Sequence, residues 1–228
     1  PLHIALDKKL CIEIIKILIT PEVLTMVNNH SQTPLHMALQ NKLGIEIIKL
    51  LITPKTLTMI DGWSSSPLHI ALDKKLCIEI IKLLITPGVL TTVDSWGRTP
   101  LHTAIKRNIC GEIIKLLITS KTLNMIDWDE NTPLHYAIQM DYSIEIIKLL
   151  VTPKALTTID WDKNTPLHYA IQMDYSIKII KLLVTPKILT TTNKKGLTPV
   201  NLALLGGSNN NIEIIKLLTS REALTIED

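Results

Sequence analysis

Thr99-Pro100-Leu101-His102-Thr103-Ala104 decides the fold, because it returns as Thr132-Pro133-Leu134-His135-Tyr136-Ala137 and Thr165-Pro166-Leu167-His168-Tyr169-Ala170. The proline of this motif recurs at Pro1, Pro34, Pro67, Pro100, Pro133, Pro166 and Pro199, always 33 residues apart. His follows two residues later in the first six copies (His3, His36, His69, His102, His135, His168). Ala follows in all seven, at Ala5, Ala38, Ala71, Ala104, Ala137, Ala170 and Ala203. A fixed period of this length is the mark of a repeat architecture, so the chain reads as one array over residues 1–228, with motifs beginning near 1, 33, 66, 99, 132, 165 and 198.

Each unit predicts two helices and a loop. Thr33 is placed to cap the first helix, with Pro34 at its first position, where the missing N–H costs nothing. Leu35, Ala38 and Leu39 are apolar at helical spacing. After a break near Asn41–Gly44 the second helix runs Ile45-Glu46-Ile47-Ile48-Lys49-Leu50-Leu51-Ile52-Thr53. Glu46, Lys49 and Thr53 make its polar stripe, and the Glu/Lys pair returns as Glu13/Lys16, Glu79/Lys82, Glu112/Lys115, Glu145/Lys148 and Glu213/Lys216. Thr-Pro then stops this helix, because a residue before proline is pushed out of the α region. Pro21, Pro54, Pro87, Pro153 and Pro186 hold that place, with Ser120 and Arg221 standing in elsewhere. The return segment, such as Leu57-Thr58-Met59-Ile60-Asp61, suits a short extended strand. Asp61, Asp94, Asp127 and Asp160 are placed to hydrogen-bond the turn backbone that follows them.

Thr-Pro-Leu-His-x-Ala every 33 residues, followed by Ile-x-Ile-Ile-Lys-Leu-Leu, resembles the ankyrin repeat over the whole chain. The resemblance implies an all-α fold: a solenoid of antiparallel helix pairs with short β-hairpin fingers. It also implies a protein-binding surface made of finger tips and the concave first-helix face, and a structural, backbone-bonding role for the repeated His. Three features depart from the family pattern. The Gly-His usual between the helices is missing, and Thr-Pro-x-x-Leu-Thr replaces the usual Gly-Ala-Asp. The last unit drifts to Pro199-Val200-Asn201, with two extra residues within Gly206–Asn211. A degenerate end repeat is expected there.

The formal net charge of +3, from 24 basic and 21 acidic residues spread along the chain, argues against a nucleic-acid partner. No apolar run approaches a membrane span. The chain opens at Pro1, inside the motif, and reads as an excerpt of a longer one. His residues one repeat apart cannot share a metal, since packed helices lie roughly 8–10 Å apart and zinc needs nitrogens at about 2 Å. Cys11, Cys77 and Cys110 share one phase and are expected as free thiols packed near the helix–helix turns, in a reducing compartment. No catalytic residue, metal or cofactor is therefore expected, and an intracellular, cytoplasmic location is.

The aromatic residues mark the candidate binding surface. Trp63, Trp96, Trp128 and Trp161 all fall at finger tips, where an exposed indole either meets a partner or stiffens the row by lying on the next finger. Asp129 and Asp162 lie beside them. Arg98, Lys106 and Arg107 make the third and fourth units basic, and Tyr136, Tyr169, Met140 and Met173 make the fifth and sixth aromatic and soft. These residues are the candidate partner contacts, on a chain taken as a monomer. His30 is the one His out of phase and is expected at a finger tip. Two other readings stay open: a targeting or regulatory array attached to an enzyme or membrane domain outside this segment, and a host-directed effector of a symbiont, parasite or virus.

Overall fold

The computed structural model describes residues 1–206 and 209–220; the expectations placed on Gly207, Ser208 and Arg221 lie outside the described residues. The chain divides into two compact units, Pro1–Leu117 and Ile118–Asp228. In the first unit the first helices of the repeats are Leu2–Asp7, Pro34–Gln40, Pro67–Asp73 and Pro100–Lys106, and the second helices are Ile12–Leu18, Ile45–Leu51, Ile78–Leu84 and Gly111–Leu117. In the second unit the corresponding pairs are Pro133–Gln139 with Ile144–Leu150, Pro166–Gln172 with Ile177–Leu183, and Pro199–Leu205 with Asn209–Leu218. Within each unit, every first helix packs on its own second helix and on the next first helix. Leu35, Ala38, Leu39, Ile48 and Leu51 are fully buried, as the helical spacing of the apolar residues requires.

The motif builds its own helix start. The side chain of Thr33 accepts from the His36 backbone N–H at 3.4 Å, while the Thr33 N–H donates to Nδ1 of His36 at 3.2 Å. This is a capping box with His in the place usually taken by Glu. A backbone N–H can only donate, so Nδ1 accepts and the ring proton sits on Nε2. That Nε2 reaches the carbonyl of Ser65 at 3.2 Å, one repeat further on. His3 on Gln32, His69 on Arg98, His135 on Asn164 and His168 on Leu197 do the same at 2.9–3.2 Å. The expected structural role of this His is thus a tie between repeats as well as a cap. Asn201 keeps the cap, accepting from the Thr198 N–H at 3.0 Å.

Two local expectations change. Thr-Pro does end the second helix, but it also opens a third. Thr53 is extended (φ −140°, ψ 160°) and exchanges capping bonds with Thr56, starting the helix Pro54–Thr58. Pro21–Leu24, Pro153–Thr157 and Pro186–Leu189 repeat this, and Pro87–Val89 and Thr122–Asn124 are shorter 3₁₀ versions. The segment read as a strand is therefore partly helical, and among the described residues no β-hairpin forms: the fingers are tight loops. In the seventh repeat the second helix, Asn209–Leu218, takes in Asn209–Asn211 and is ten residues long. Finally, Cys11, Cys77 and Cys110 are exposed rather than packed, Cys11 and Cys77 as the residues preceding a second helix.

The repeating Glu/Lys pairs also behave variably. Lys49 meets Glu46 at 3.2 Å within one helix, whereas Lys82 turns to Glu112 of the next repeat at 2.5 Å. Both pairs are exposed and screened by solvent, so neither contributes much to stability.

Candidate functional site

The fingers are shaped by one side chain each. Oδ1 of Asp61 accepts from the N–H of Trp63 and of Ser65, both at 2.9 Å, and the Asp61 N–H donates to the Ser65 carbonyl at 3.0 Å. Asp94, Asp127 and Asp160, and Asn28 and Asn193 at the same phase, close their loops the same way. Successive fingers are joined tip to tip. In the first unit Gly62 N–H donates to the His30 carbonyl and Ser95 N–H to the Trp63 carbonyl, each at 2.9 Å. In the second, Trp161 N–H reaches Asp129 at 2.8 Å and Lys194 N–H reaches Asp162 at 2.9 Å.

Four carboxylates at this phase are almost wholly buried, Asp61 at 5% exposure and Asp94, Asp127 and Asp160 at 4%. A buried charge needs a donor for each oxygen. For Asp94 the second oxygen takes Nε and Nη2 of Arg98, at 2.9 and 2.6 Å. Burial pushes the Asp94 carboxyl up, but the Arg98 guanidinium and the N–H groups of Trp96 and Arg98 outweigh it and hold it below the usual carboxylate range. For Asp127 the donor is the Tyr136 hydroxyl at 2.6 Å, and for Asp160 the Tyr169 hydroxyl at 2.5 Å. Burial and that carboxylate push the Tyr169 phenol up to about 12.

These bonds revise the candidate contacts. Arg98, expected on the open surface, is buried, its guanidinium committed to Asp94. Tyr136 is buried and Tyr169 half-buried, each spent on its finger. Arg107 is exposed but holds Asp73 of the preceding repeat at 2.7 Å, and Lys106 is exposed beside it. Asp129, Asp162, Met140 and Met173 are exposed.

The four indoles remain half exposed or more: Trp63 50%, Trp96 55%, Trp128 70% and Trp161 65%. Trp63 stacks on His30 of the previous finger, with ring centres 6.0 Å apart and planes 16° apart. The Arg98 guanidinium lies 4.4 Å from the centre of the Trp96 ring. In the second unit Lys194 Nζ lies 4.4 Å from the Trp161 ring and 3.4 Å from Asp162. Such ring and cation contacts are worth on the order of 0.5–1 kcal/mol each and hold Trp63, Trp96 and Trp161 in place.

Cavities open beside the fingers of each unit. In the first unit, one of about 220 Å³ lies among Asp61, Trp63, Trp96, Gln40, Ser65 and Ile70. In the second, one of about 290 Å³ lies among Asp162, Tyr169, Gln172, Asn193 and Lys194. A larger groove of about 560 Å³ runs along the helix–helix turns of the fifth and sixth repeats, past Asp141, Tyr142, Met173, Asp174, Tyr175 and Lys178. Among the described residues no group of three or more His, Cys, Asp or Glu side chains is placed to hold a metal ion, and no helix is long and apolar enough to cross a membrane.

No curated protein matches the chain. Among solved structures, the chain is similar to one described as the ankyrin repeat domain of Bcl-3, a unique member of the IkappaB protein family. The two share 22% identity, with a TM-score of 0.68 over 95% of this chain and 97% of that one, a likeness of fold. The family model for ankyrin repeats (3 copies) matches residues 68–160 and 143–228. With that match across most of its length, with its 33-residue period and with its Thr-Pro-Leu-His helix caps, the chain belongs to the ankyrin repeat family.

Proposed function

We propose that this chain binds a partner protein through its finger tips and the adjoining ends of its first helices. Ankyrin repeats in general are non-catalytic protein–protein interaction modules. The observation that carries the reading for this chain is the set of four indoles, all half exposed or more, three of which (Trp63, Trp96 and Trp161) are held by a neighbouring ring or cation and by tip-to-tip hydrogen bonds of their fingers. Rigid, exposed Trp is a large apolar contact at small entropic cost, the usual make-up of a binding hot spot. Asp129, Asp162, Met140, Met173, Lys106 and Arg107 supply the surrounding polar and soft contacts. Arg98, Tyr136 and Tyr169 act behind them, as supports of the fingers. The reading assigns no catalytic step and no cofactor. It places the protein in the cytoplasm, where the exposed thiols of Cys11, Cys77 and Cys110 stay reduced.

The test is affinity capture from source-cell lysate with three folded baits: wild type, Trp63→Ala/Trp96→Ala and Trp128→Ala/Trp161→Ala. A protein captured by wild type and lost from either double variant is the expected result. Equal capture by all three would move the binding site off the fingers.

A further inference from the structure

Asp61 differs from its three counterparts at its second oxygen. Its Oδ1 is occupied by the N–H groups of Trp63 and Ser65, as Oδ1 of Asp94 and of Asp127 is by two such groups, but its Oδ2 accepts no hydrogen bond among the described residues. The positions that supply the donor elsewhere explain this. Four residues after the Asp, where Arg98 serves Asp94, stands Ser65; nine residues after, where Tyr136 and Tyr169 serve Asp127 and Asp160, stands Ile70. Asp61 is nonetheless 5% exposed, and it lines the cavity of about 220 Å³ with Trp63 and Trp96. The accessible oxygen of an otherwise buried carboxylate therefore opens onto a cavity walled by two indoles.

The sister finger shows what fits. In Asp94-Ser95-Trp96-Gly97-Arg98 the guanidinium sets two N–H groups on the free Oδ2 and lies 4.4 Å from the Trp96 ring. The Asp61 finger shares this spacing, with Trp two residues after the Asp, and carries Ser65 where the arginine stands. The fingers served by tyrosine instead carry Trp directly after the Asp, at Trp128 and Trp161. We infer that the cavity at Asp61 receives the guanidinium of an arginine on the partner protein, which sets its N–H groups on Oδ2 between Trp63 and Trp96. A planar guanidinium both donates in a fork and stacks on indole, which an ammonium does less well. Lys74 lines the same cavity and Asp73 beside it is held by Arg107, so the attraction comes from Asp61 and the rings rather than from the net charge of the rim.

This inference rests on the finger surface being a protein-binding site, but its test needs no partner. The probe is Nα-acetyl-arginine methylamide, with Nα-acetyl-citrulline methylamide as its uncharged counterpart, titrated into the whole chain. The readout is the indole N–H resonance that disappears in Trp63→Phe. Arginine probe is expected to shift it saturably and citrulline probe not. Asp61→Asn is expected to weaken binding about tenfold or more. Asn28 and Asn193 already close fingers at this phase, so that variant keeps the loop. Ser65→Arg, which copies Arg98, is expected to abolish binding and raise Tm. A saturable shift with citrulline probe, unchanged binding in Asp61→Asn, or no saturable shift in wild type would each overturn the inference. If Ser65→Arg does not fold, Asp61→Asn decides alone. A silent probe together with capture lost on Trp63→Ala/Trp96→Ala removes the arginine assignment and leaves the protein-binding reading standing.

Discussion

Lys75 sits at φ 51°, a left-handed conformation that an L side chain adopts at a cost of about 1–2 kcal/mol. The same position one repeat away in either direction is Lys42 (φ 54°) and Asn108 (φ 53°), and the series continues through Lys9, Asp141 and Asp174. These residues end the first helix: Lys75 N–H returns to the Leu72 carbonyl at 3.1 Å and Leu76 N–H to Ala71 at 3.0 Å, the bonding pattern for which glycine is the usual choice. The family's glycine is missing here, so the strain recurs in repeat after repeat. Lys75→Gly is therefore expected to stabilise the protein by roughly 0.5–1 kcal/mol, less than the strain because glycine also loosens the unfolded chain. Urea unfolding would show a higher midpoint at an unchanged slope. A lower midpoint would mean that the Lys75 side chain contributes more than its backbone costs.

At the scale of the element, the third helix is the feature that Thr-Pro creates. Pro54 forces Thr53 to be extended, and an extended Thr is free to turn its hydroxyl onto the Thr56 N–H at 3.1 Å. The Thr56 hydroxyl returns to the Thr53 N–H at 2.8 Å and to the Leu51 carbonyl at 3.0 Å, so the end of the second helix and the start of the third share one residue. The helix is too short to stand on propensity, which makes its cap decisive. Thr53→Ala is expected to cost about 1 kcal/mol, read as a drop in Tm. Faster hydrogen exchange confined to Pro54–Thr58 and the finger it leads into would accompany it. Unchanged exchange there would show that packing of Leu57, not the cap, holds the segment.

For the whole molecule, the repeated His sets the response to acid. Burial lowers the pKa of His36, His69, His135 and His168, and that of His135 falls from 6.5 to about 4. The unfolded chain then binds protons that the folded chain refuses. Stability is complete above about pH 6.5 and is lost as the pH falls toward 4, since protonation would take Nδ1 from the capping N–H. For His135 alone the full loss is on the order of 3 kcal/mol. The depressed Asp94 carboxyl adds loss in the same direction at lower pH still. Thermal unfolding at intervals from pH 7.5 to 4.5 is expected to show Tm falling steadily below pH 6.5. His135→Asn keeps the cap, as Asn201 does, but gives up the bond to Asn164. It should be less stable at pH 7.5 and lose less on acidification. A Tm independent of pH across this window would contradict the buried neutral histidines.

The 33-residue period, the capped first helices, the buried apolar positions and the Asp-closed fingers were all legible in the sequence, because each depends on contacts within a few residues and is restated in every copy. The chemistry of the finger row was legible only as residue types. Arg98 and Tyr136 read as surface groups, since charge and a phenol belong there by default, yet both turn inward. The cause is a carboxylate that its own loop buries: with one oxygen spent on backbone N–H groups, the other takes whichever donor the fold brings within reach, four residues on or nine. Only the tertiary structure decided which donor that was. It also showed that at Asp61, with Ser65 and Ile70 at those two positions, none is present among the described residues and the oxygen faces an open cavity.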